Sequence, residues 1–309
     1  MKFGIAYPNL LDGEQIKRFA IRVEELGFES IWAGDHIVFP AAPVTGYPYT
    51  ESGTFQRAAD VPFIEPFTLL SYIASVTSRI RIGTTVIIVP YRHPIVQAKM
   101  FAGLDVLTGG RVICGVGVGW LKEEFDALDA PFAERGAMTN EYLEIFKCLW
   151  RDKVVSYDGN FHQFSNITFE PKPVQQPRIP IWVGGHTRHA IRRTVDHGDA
   201  WHPTRQTAEW VAERLPFLRE YAQERGRNAD EITISLKRAL HFSDLGFSQG
   251  DSPLTTGTVI GTPGDVLDDV KRCEDIGLEQ LTYDFRTNDF DECIRITEHL
   301  ADKVIAKLG

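Results

Sequence analysis

The 309 residues carry 33 Lys and Arg against 42 Asp and Glu, a net charge of −9, with 43% hydrophobic and 11% aromatic residues. A chain of this size buries roughly 75% of its unfolded surface, so it needs neither disulfides nor a structural metal to fold. The acidic balance, spread along the chain, excludes a general nucleic-acid or acidic-membrane surface. Cys114, Cys148, Cys273 and Cys293 show no Cys-x-x-Cys spacing, and no His-x-x-x-His pattern assembles metal ligands, so no metal site is expected. With no signal-peptide pattern and no bilayer-length apolar run, a cytoplasmic setting is expected.

Short apolar runs alternate with segments of helical period, the pattern of strands joined by crossover helices. Residues 3–7 read as the first strand. In residues 13–26, Ile16, Phe19, Ala20, Val23 and Leu26 form one stripe, and Gly27 ends the helix. Strand 30–33, helix 66–77, strand 80–89 and helix 94–107 follow. Strand 111–117 and a helix over about 135–150 come next, then a hairpin at 154–164 turning at Asp158-Gly159. The rhythm resumes with strand 181–183 and helix 188–197, strand 199–202 and helix 208–225, strand 232–240 and helix 264–276, strand 280–285 and helix 290–308. Eight strand-helix units predict an α/β fold of (β/α)8 TIM-barrel type, one domain over residues 1–309. Insertions at 37–65, after the second strand, and 242–261, after the seventh, fall at the C-terminal face, where barrel sites lie. Tyr47, Tyr49 and Phe55, with Pro40, Pro43, Pro48 and Pro62, suit the first insertion to a lid. A dinucleotide fold is disfavoured, because Trp120 stands where Gly-x-Gly-x-x-Gly needs its last glycine.

Asp35-His36 closes the second strand with a carboxylate and an imidazole, a pair able to hold a polar ring edge and move a proton; the same pair also suits a loop cap. The run 82–90 reads as a buried strand, with Gly83 open to a bulge or a flat ligand. Glycine at 115, 117 and 119 bares one face of the fourth strand, either for a planar ring edged by Trp120 or for a narrow barrel interior. Gly184-Gly185-His186 before helix 188–197, with Arg188, Arg192 and Arg193, suits an anion or a tight turn equally. Glu123-Glu124 and the acids at 126 and 129 read as a solvated face.

In this order the pieces resemble the bacterial luciferase-like superfamily of flavin- and deazaflavin-dependent oxidoreductases. The resemblance rests on Glu25-Leu26-Gly27-Phe28-Glu29-Ser30-Ile31-Trp32 leading into Asp35-His36, on Ile82-Gly83-Thr84-Thr85-Val86 through His93-Pro94, and on Gly109-Gly110-Arg111 before Gly115-Val116-Gly117-Val118-Gly119-Trp120. Pro180-Ile181-Trp182-Val183-Gly184-Gly185, Gly198-Asp199-Ala200-Trp201-His202 and Ile260-Gly261-Thr262-Pro263 extend it along the chain. Within the superfamily the chain looks most like the branch assigned to coenzyme F420. The resemblance implies a homodimeric, insertion-bearing TIM barrel with the ring at the C-terminal mouth, and a non-proline cis peptide at Thr85-Val86. It assigns the ring edge and proton relay to Asp35 and His36, and the phosphate-binding backbone to Gly184, Gly185 and His186. Gly119 and Trp120 join Thr85 and Val86 as cofactor contacts. Trp120 stands where some deazaflavin dehydrogenases place a Glu, which counts against a sugar-phosphate dehydrogenase mechanism relying on that acid.

The function expected is hydride transfer between F420 and a small organic substrate, with His36 moving the proton and Asp35 orienting the ring. The alternative is an FMN-dependent monooxygenase fed reduced flavin by a separate reductase. Two further readings are a cofactor-free hydrolase pairing Asp35 with an acid such as Asp284, and a flavin-binding barrel without turnover. No nucleic-acid or membrane partner is expected.

Overall fold

The computed structural model describes residues 1–47, 53–55, 63–247, 257–285 and 287–308. In chain order the elements are β1 (Lys2–Ala6), α1 (Gly13–Glu25), β2 (Ser30–Ala33), β3 (Val44–Thr45), β4 (Thr54–Phe55), α2 (Pro66–Val76), β5 (Arg81–Thr84), β6 (Ile87–Ile88) and α3 (Pro94–Thr108). Next come β7 (Val112–Gly117), α4 (Lys122–Ala127), α5 (Arg135–Arg151), β8 (Val154–Asp158), β9 (Gln163–Thr168), β10 (Ile181–Gly184), α6 (Arg188–His197) and β11 (Ala200–His202). The chain finishes with α7 (Ala208–Ala212), α8 (Leu215–Glu224), β12 (Thr233–Phe242), β13 (Val259–Gly261), α9 (Pro263–Asp275), β14 (Gln280–Phe285) and α10 (Phe290–Lys303).

Eight strands close a parallel barrel in the order β1, β2, β5, β7, β10, β11, β12, β14, with β14 returning to β1 through Lys2↔Gln280 to Ile5↔Tyr283. This is the (β/α)8 architecture expected from the alternating pattern. Helix α1 shows how the sequence builds the outer ring. Asp12 caps it by accepting the Gln15 N–H, its Ile16, Phe19, Ala20 and Val23 stripe is buried, and Gly27 at φ +81° lets the chain leave.

Three local departures have physical reasons. The segment expected as one helix over 208–225 is two, α7 and α8, because Pro216 in the first turn of α8 has no N–H to continue the α7 ladder. The third strand is interrupted between β5 and β6 by a cis peptide at Thr85-Val86. The hairpin β8–β9 reaches Thr168, and its connection is longer than the Asp158-Gly159 turn expected. Buried Glu141 of α5 holds that connection by accepting the N–H groups of Asn160 at 2.7 Å and His162 at 2.8 Å.

The barrel axis is filled from inside. Trp32 of β2 stacks on His202 of β11 with ring centroids 5.0 Å apart and meets Trp182 of β10 at 5.1 Å. Gly83 makes room for this stack, since a Cβ there would lie 2.5 Å from the Trp32 ring. The apolar run of strand three therefore serves the core at that point. Of the first insertion, β3 and β4 form a short antiparallel ribbon; Pro48, Tyr49, Pro62 and the Phe55 side chain lie outside the description. Of the second, residues 248–256 lie outside it, while β13 adds parallel to the end of β12. Among the described residues no helix is long and apolar enough to cross a membrane.

Candidate active site

The C-terminal ends of the barrel strands converge on a mouth, and His36 stands just past β2. Its Nδ1 lies 2.7 Å from Glu124 Oε2. A carboxylate only accepts, so the proton is on Nδ1 and Nε2 is left for a second proton. Among the described residues Nε2 has no protein partner, and the side chain is 20% exposed against 0% for Glu124. Phe39 and Phe63, from the two ends of the first insertion, wall the imidazole at 4.7 and 5.8 Å between ring centroids.

Glu124 is the residue the sequence reading missed. Composition suggests a solvated acidic face here, yet α4 buries Glu124 and points it back at the loop after β2. It accepts N–H groups from Ile37 at 2.5 Å and Val38 at 3.2 Å, and the Tyr91 hydroxyl at 2.9 Å. Burial opposes its charge, but His36, Ile37 and Tyr91 outweigh it and hold the carboxyl below its ordinary range. Tyr91 is pushed the other way, by burial and by Glu124, and stays a proton donor. The one sequence signal that distinguishes Glu124 from Glu123 is helical phase: in α4 it shares the buried face with Phe125.

Asp35 is turned inward and is 3% exposed. Arg92 clamps it through two hydrogen bonds of 2.7 and 2.9 Å, and the Ile88 N–H donates at 2.9 Å. Burial raises its carboxyl pKa, while Arg92 and the Ile88 N–H oppose that rise. The carboxylate expected at a ring edge is thus bonded to β6 and to Arg92, which also reaches Glu65 at 2.9 Å. Through the Ile88 N–H it ties the backbone after the Thr85-Val86 bond to the end of β2.

At that bond, the Thr85 N–H donates to the Ala33 carbonyl at 2.7 Å and its hydroxyl lies 3.2 Å from His202 Nε2. His202 Nδ1 bonds Ser235 Oγ, and full burial lowers the imidazole pKa to about 3, so the ring is neutral. The Val86 side chain drops towards the glycines: a Cβ on Gly117 would collide with its Cγ2, and one on Gly184 would lie 2.7 Å from its Cγ1. The bare face of the fourth strand is therefore filled at Gly117 by valine, and at Gly115 by Thr84. Gly119, at φ +79°, sits where a Cβ would strike Phe125 and Ile88. Trp120 meets Tyr47 of the first insertion at 4.8 Å between centroids.

On β10 the turn Gly184-Gly185-His186 leads into α6, which Thr187 caps. Gly185 has φ +114°, and its carbonyl accepts the Trp201 indole N–H at 3.0 Å. His186 Nε2 donates to the Thr204 carbonyl at 2.6 Å, and burial lowers its pKa. The arginines expected beside this turn face elsewhere. Arg188 and Arg192 stack on Phe217 at 4.9 and 5.8 Å, and Arg193 bonds Asn140 and the Gly136 carbonyl. Of the charges near the turn, that of Arg214 acts on His186, and the first backbone N–H groups of α6 face the same end.

Across the mouth, Lys237 of β12 faces Asp284 of β14 at 3.6 Å. The two acids of the paired-carboxylate reading thus each meet a cation, Asp35 meeting Arg92 and Asp284 meeting Lys237.

Residues 1–244 match the family of luciferase-like monooxygenases. The chain belongs to this family. An uncharacterised family relative, Rv0940c of Mycobacterium tuberculosis, is 30% identical over 293 residues, covering 92% of each chain. Two solved structures share the family barrel. The monooxygenase RslO1 of Streptomyces bottropensis has a TM-score of 0.79 at 22% identity, covering 100% of both chains. The coenzyme F420-dependent tetrahydromethanopterin reductase of Methanopyrus kandleri has a TM-score of 0.78 at 18% identity, covering 100% of this chain and 99% of that one. Within this luciferase-like barrel, the cis peptide is found at Thr85-Val86, where the resemblance implied it.

Proposed function

We propose that the protein is an oxidoreductase in which a deazaflavin, coenzyme F420, exchanges a hydride with a small organic substrate at the barrel mouth, His36 handling the proton. The observation that carries this is the Glu124-held imidazole, whose Nε2 has no protein partner among the described residues. Neutral His36 accepts a proton at Nε2 from a hydroxyl being oxidised. Protonated, it returns one to a carbonyl or double bond being reduced. Glu124 fixes the tautomer and stabilises the imidazolium, as the carboxylate of a hydrolase triad does for its histidine.

The mouth suits a flat, phosphate-bearing cofactor on two observations. The backbone at Thr85-Val86 is held forward by Val86 seated over Gly117 and Gly184. The first N–H groups of the ten-residue helix α6, behind Gly184, Gly185 and His186, form an anion cradle. When bound, the deazaflavin supplies the carbon that gives or takes the hydride. The protein holds it with Thr85, Val86, Gly119 and the cradle, while Trp120, Phe39 and Phe63 exclude water. Asp35 acts through Arg92 and Ile88 as a positioning residue. The homodimer belongs to the same proposal: α2 packs on α3, and the pair exposes Tyr72, Val96, Val106 and Leu107.

Titrating the purified protein with F420 and with FMN, each oxidised and reduced, tests this reading. Tight selective binding of F420 supports it. Selective binding of reduced FMN would make the protein an oxygen-activating monooxygenase, and failure to bind either would remove the flavin site.

A further inference from the structure

The end of the barrel opposite the mouth holds a cluster of charged groups that chemistry at His36 does not use. Arg178, just before β10, clamps Asp199, just before β11, through hydrogen bonds of 2.5 and 2.9 Å, and the Ile181 N–H donates to the same carboxylate at 2.7 Å. Arg227, after α8, donates to the Thr194 and Val195 carbonyls in the last turn of α6 at 3.1 and 2.7 Å. Each of these side chains is fixed by a partner.

Lys147 stands among them without one. It lies half-buried on α5, which packs on α6, and its charge acts on His197 at the end of α6. Surface lysines of this chain find acids, as Lys17 does with Glu14 at 3.5 Å and Lys122 with Asp126 at 2.6 Å. Lys147 makes no hydrogen bond or ion pair among the described residues. The two acids whose charge reaches it are engaged elsewhere, Asp199 by Arg178 and Glu144 by the Tyr157 hydroxyl, which donates to it at 2.8 Å. Its Nζ is nonetheless not enclosed, so a small reagent can meet it.

A half-buried amine beside guanidinium groups and without an acceptor favours its neutral form. Burial first, then Arg178 and to a smaller extent Arg227, bring the Lys147 pKa down to about 8 against the pull of Asp199 and Glu144. His197, lowered to about 4 by burial, and Cys148, raised by burial, are both neutral near pH 7 and leave this balance as it is. At pH 7.5 roughly a quarter of such an amine is unprotonated, against about one part in a thousand for an ordinary lysine. The unprotonated amine is a nucleophile towards carbonyl carbon.

We propose that Lys147 is an acylation site for small acyl phosphates, made reactive by its unpaired place beside Arg178 and Arg227. The Nζ lone pair forms a bond to the acyl carbon, the bond from that carbon to the phosphate oxygen breaks, phosphate leaves with the electron pair, and Nζ releases one proton to solvent. The product is a neutral amide, which needs no counter-charge where none is offered. A small donor suits the half-buried position of the amine. The site is at the far end of the barrel from His36 and stands whether or not the oxidoreductase reading does.

The test incubates the full chain with acetyl phosphate at pH 7.5 and follows acetylation lysine by lysine by mass spectrometry, with the exposed Lys2, Lys122 and Lys271 as references. Lys147 should react about tenfold faster than these, and the lead should shrink to about twofold at pH 10.5, where the references also lose their protons. Arg227→Gln, which removes one neighbouring cation, should slow Lys147 several-fold and leave the references unchanged. Equal or slower reaction of Lys147 in the wild type overturns the proposal, as does prior reaction at Lys237, the buried lysine that has Asp284 as a partner. A lead that is undiminished at pH 10.5, or in folded R227Q, overturns it as well. Should R227Q not fold, the comparison of the two pH values decides. Acetylation of Lys147 by acetyl-coenzyme A but not by acetyl phosphate would overturn it in favour of a thioester donor.

Discussion

The carboxylate of Glu124, fully buried, lies 2.7 Å from Nδ1 of His36, and the same carboxylate gathers the N–H groups of Ile37 and Val38. One side chain therefore both sets the tautomer of the imidazole and fixes the path of the loop that carries it. Glu124→Gln keeps the size but turns one end into a donor. Turnover should fall on the order of 100-fold if His36 is the proton-transfer group, with cofactor affinity held within a few-fold. Separate measurement of kcat and of cofactor affinity distinguishes this from simple damage, because the variant should lose turnover while keeping its binding. Unchanged turnover in a folded variant would detach Glu124 from the chemistry.

His36→Ala tests the proton group directly. Cofactor binding should stay within a few-fold while kcat drops by roughly 100-fold or more. Equal losses in both would place His36 in binding instead.

Acid stability should carry the mark of the buried histidine. His202 has an ordinary value of 6.5 and about 3 in the fold, so between those pH values the unfolded chain binds a proton that the native chain refuses. Its contribution makes stability fall as pH drops from 6.5 towards 3, by up to about 4 kcal/mol. Glu124, held below its ordinary range, adds stability that is present above that range and lost as pH falls through it. Urea midpoints measured across this window should flatten in His202→Gln relative to the wild type; parallel curves would remove His202 from the acid response.

Val86 and the glycines beneath it should behave as one unit. Gly184→Ala places a methyl 2.7 Å from Val86 Cγ1 and should cost about 1–3 kcal/mol from overpacking. In a Val86→Ala background much of that cost should vanish, giving a coupling energy of about 1 kcal/mol or more in a double-mutant cycle. Additive losses would mean that Val86 does not occupy the space the glycine leaves.

Arg92→Met leaves Asp35 buried at 3% exposure without its bidentate partner. Chemical denaturation should show a loss of about 3–5 kcal/mol, the cost of an uncompensated buried charge. Pairing it with Asp35→Asn should recover part of the loss. A change below about 1 kcal/mol would show that Arg92 contributes no more than a surface pair.

The alternation of apolar runs and helical stripes by itself determined the eight-stranded barrel, and chain order put Asp35-His36 and Gly184-Gly185 at strand ends, because periodicity and turn chemistry are properties of neighbouring residues. The partners of those residues were decided only in three dimensions. Glu124 is 88 positions from His36 and Arg92 is 57 from Asp35, separations at which no local pattern links two side chains. The same limit hid the fate of the glycines, whose open face is taken by Val86, and of Arg188, Arg192 and Arg193, which leave the cradle for α8 and α5. Composition marks the kinds of groups a chain carries, but closure of the barrel determines which of them meet, since burial and pairing depend on distances that arise only when distant strands become neighbours.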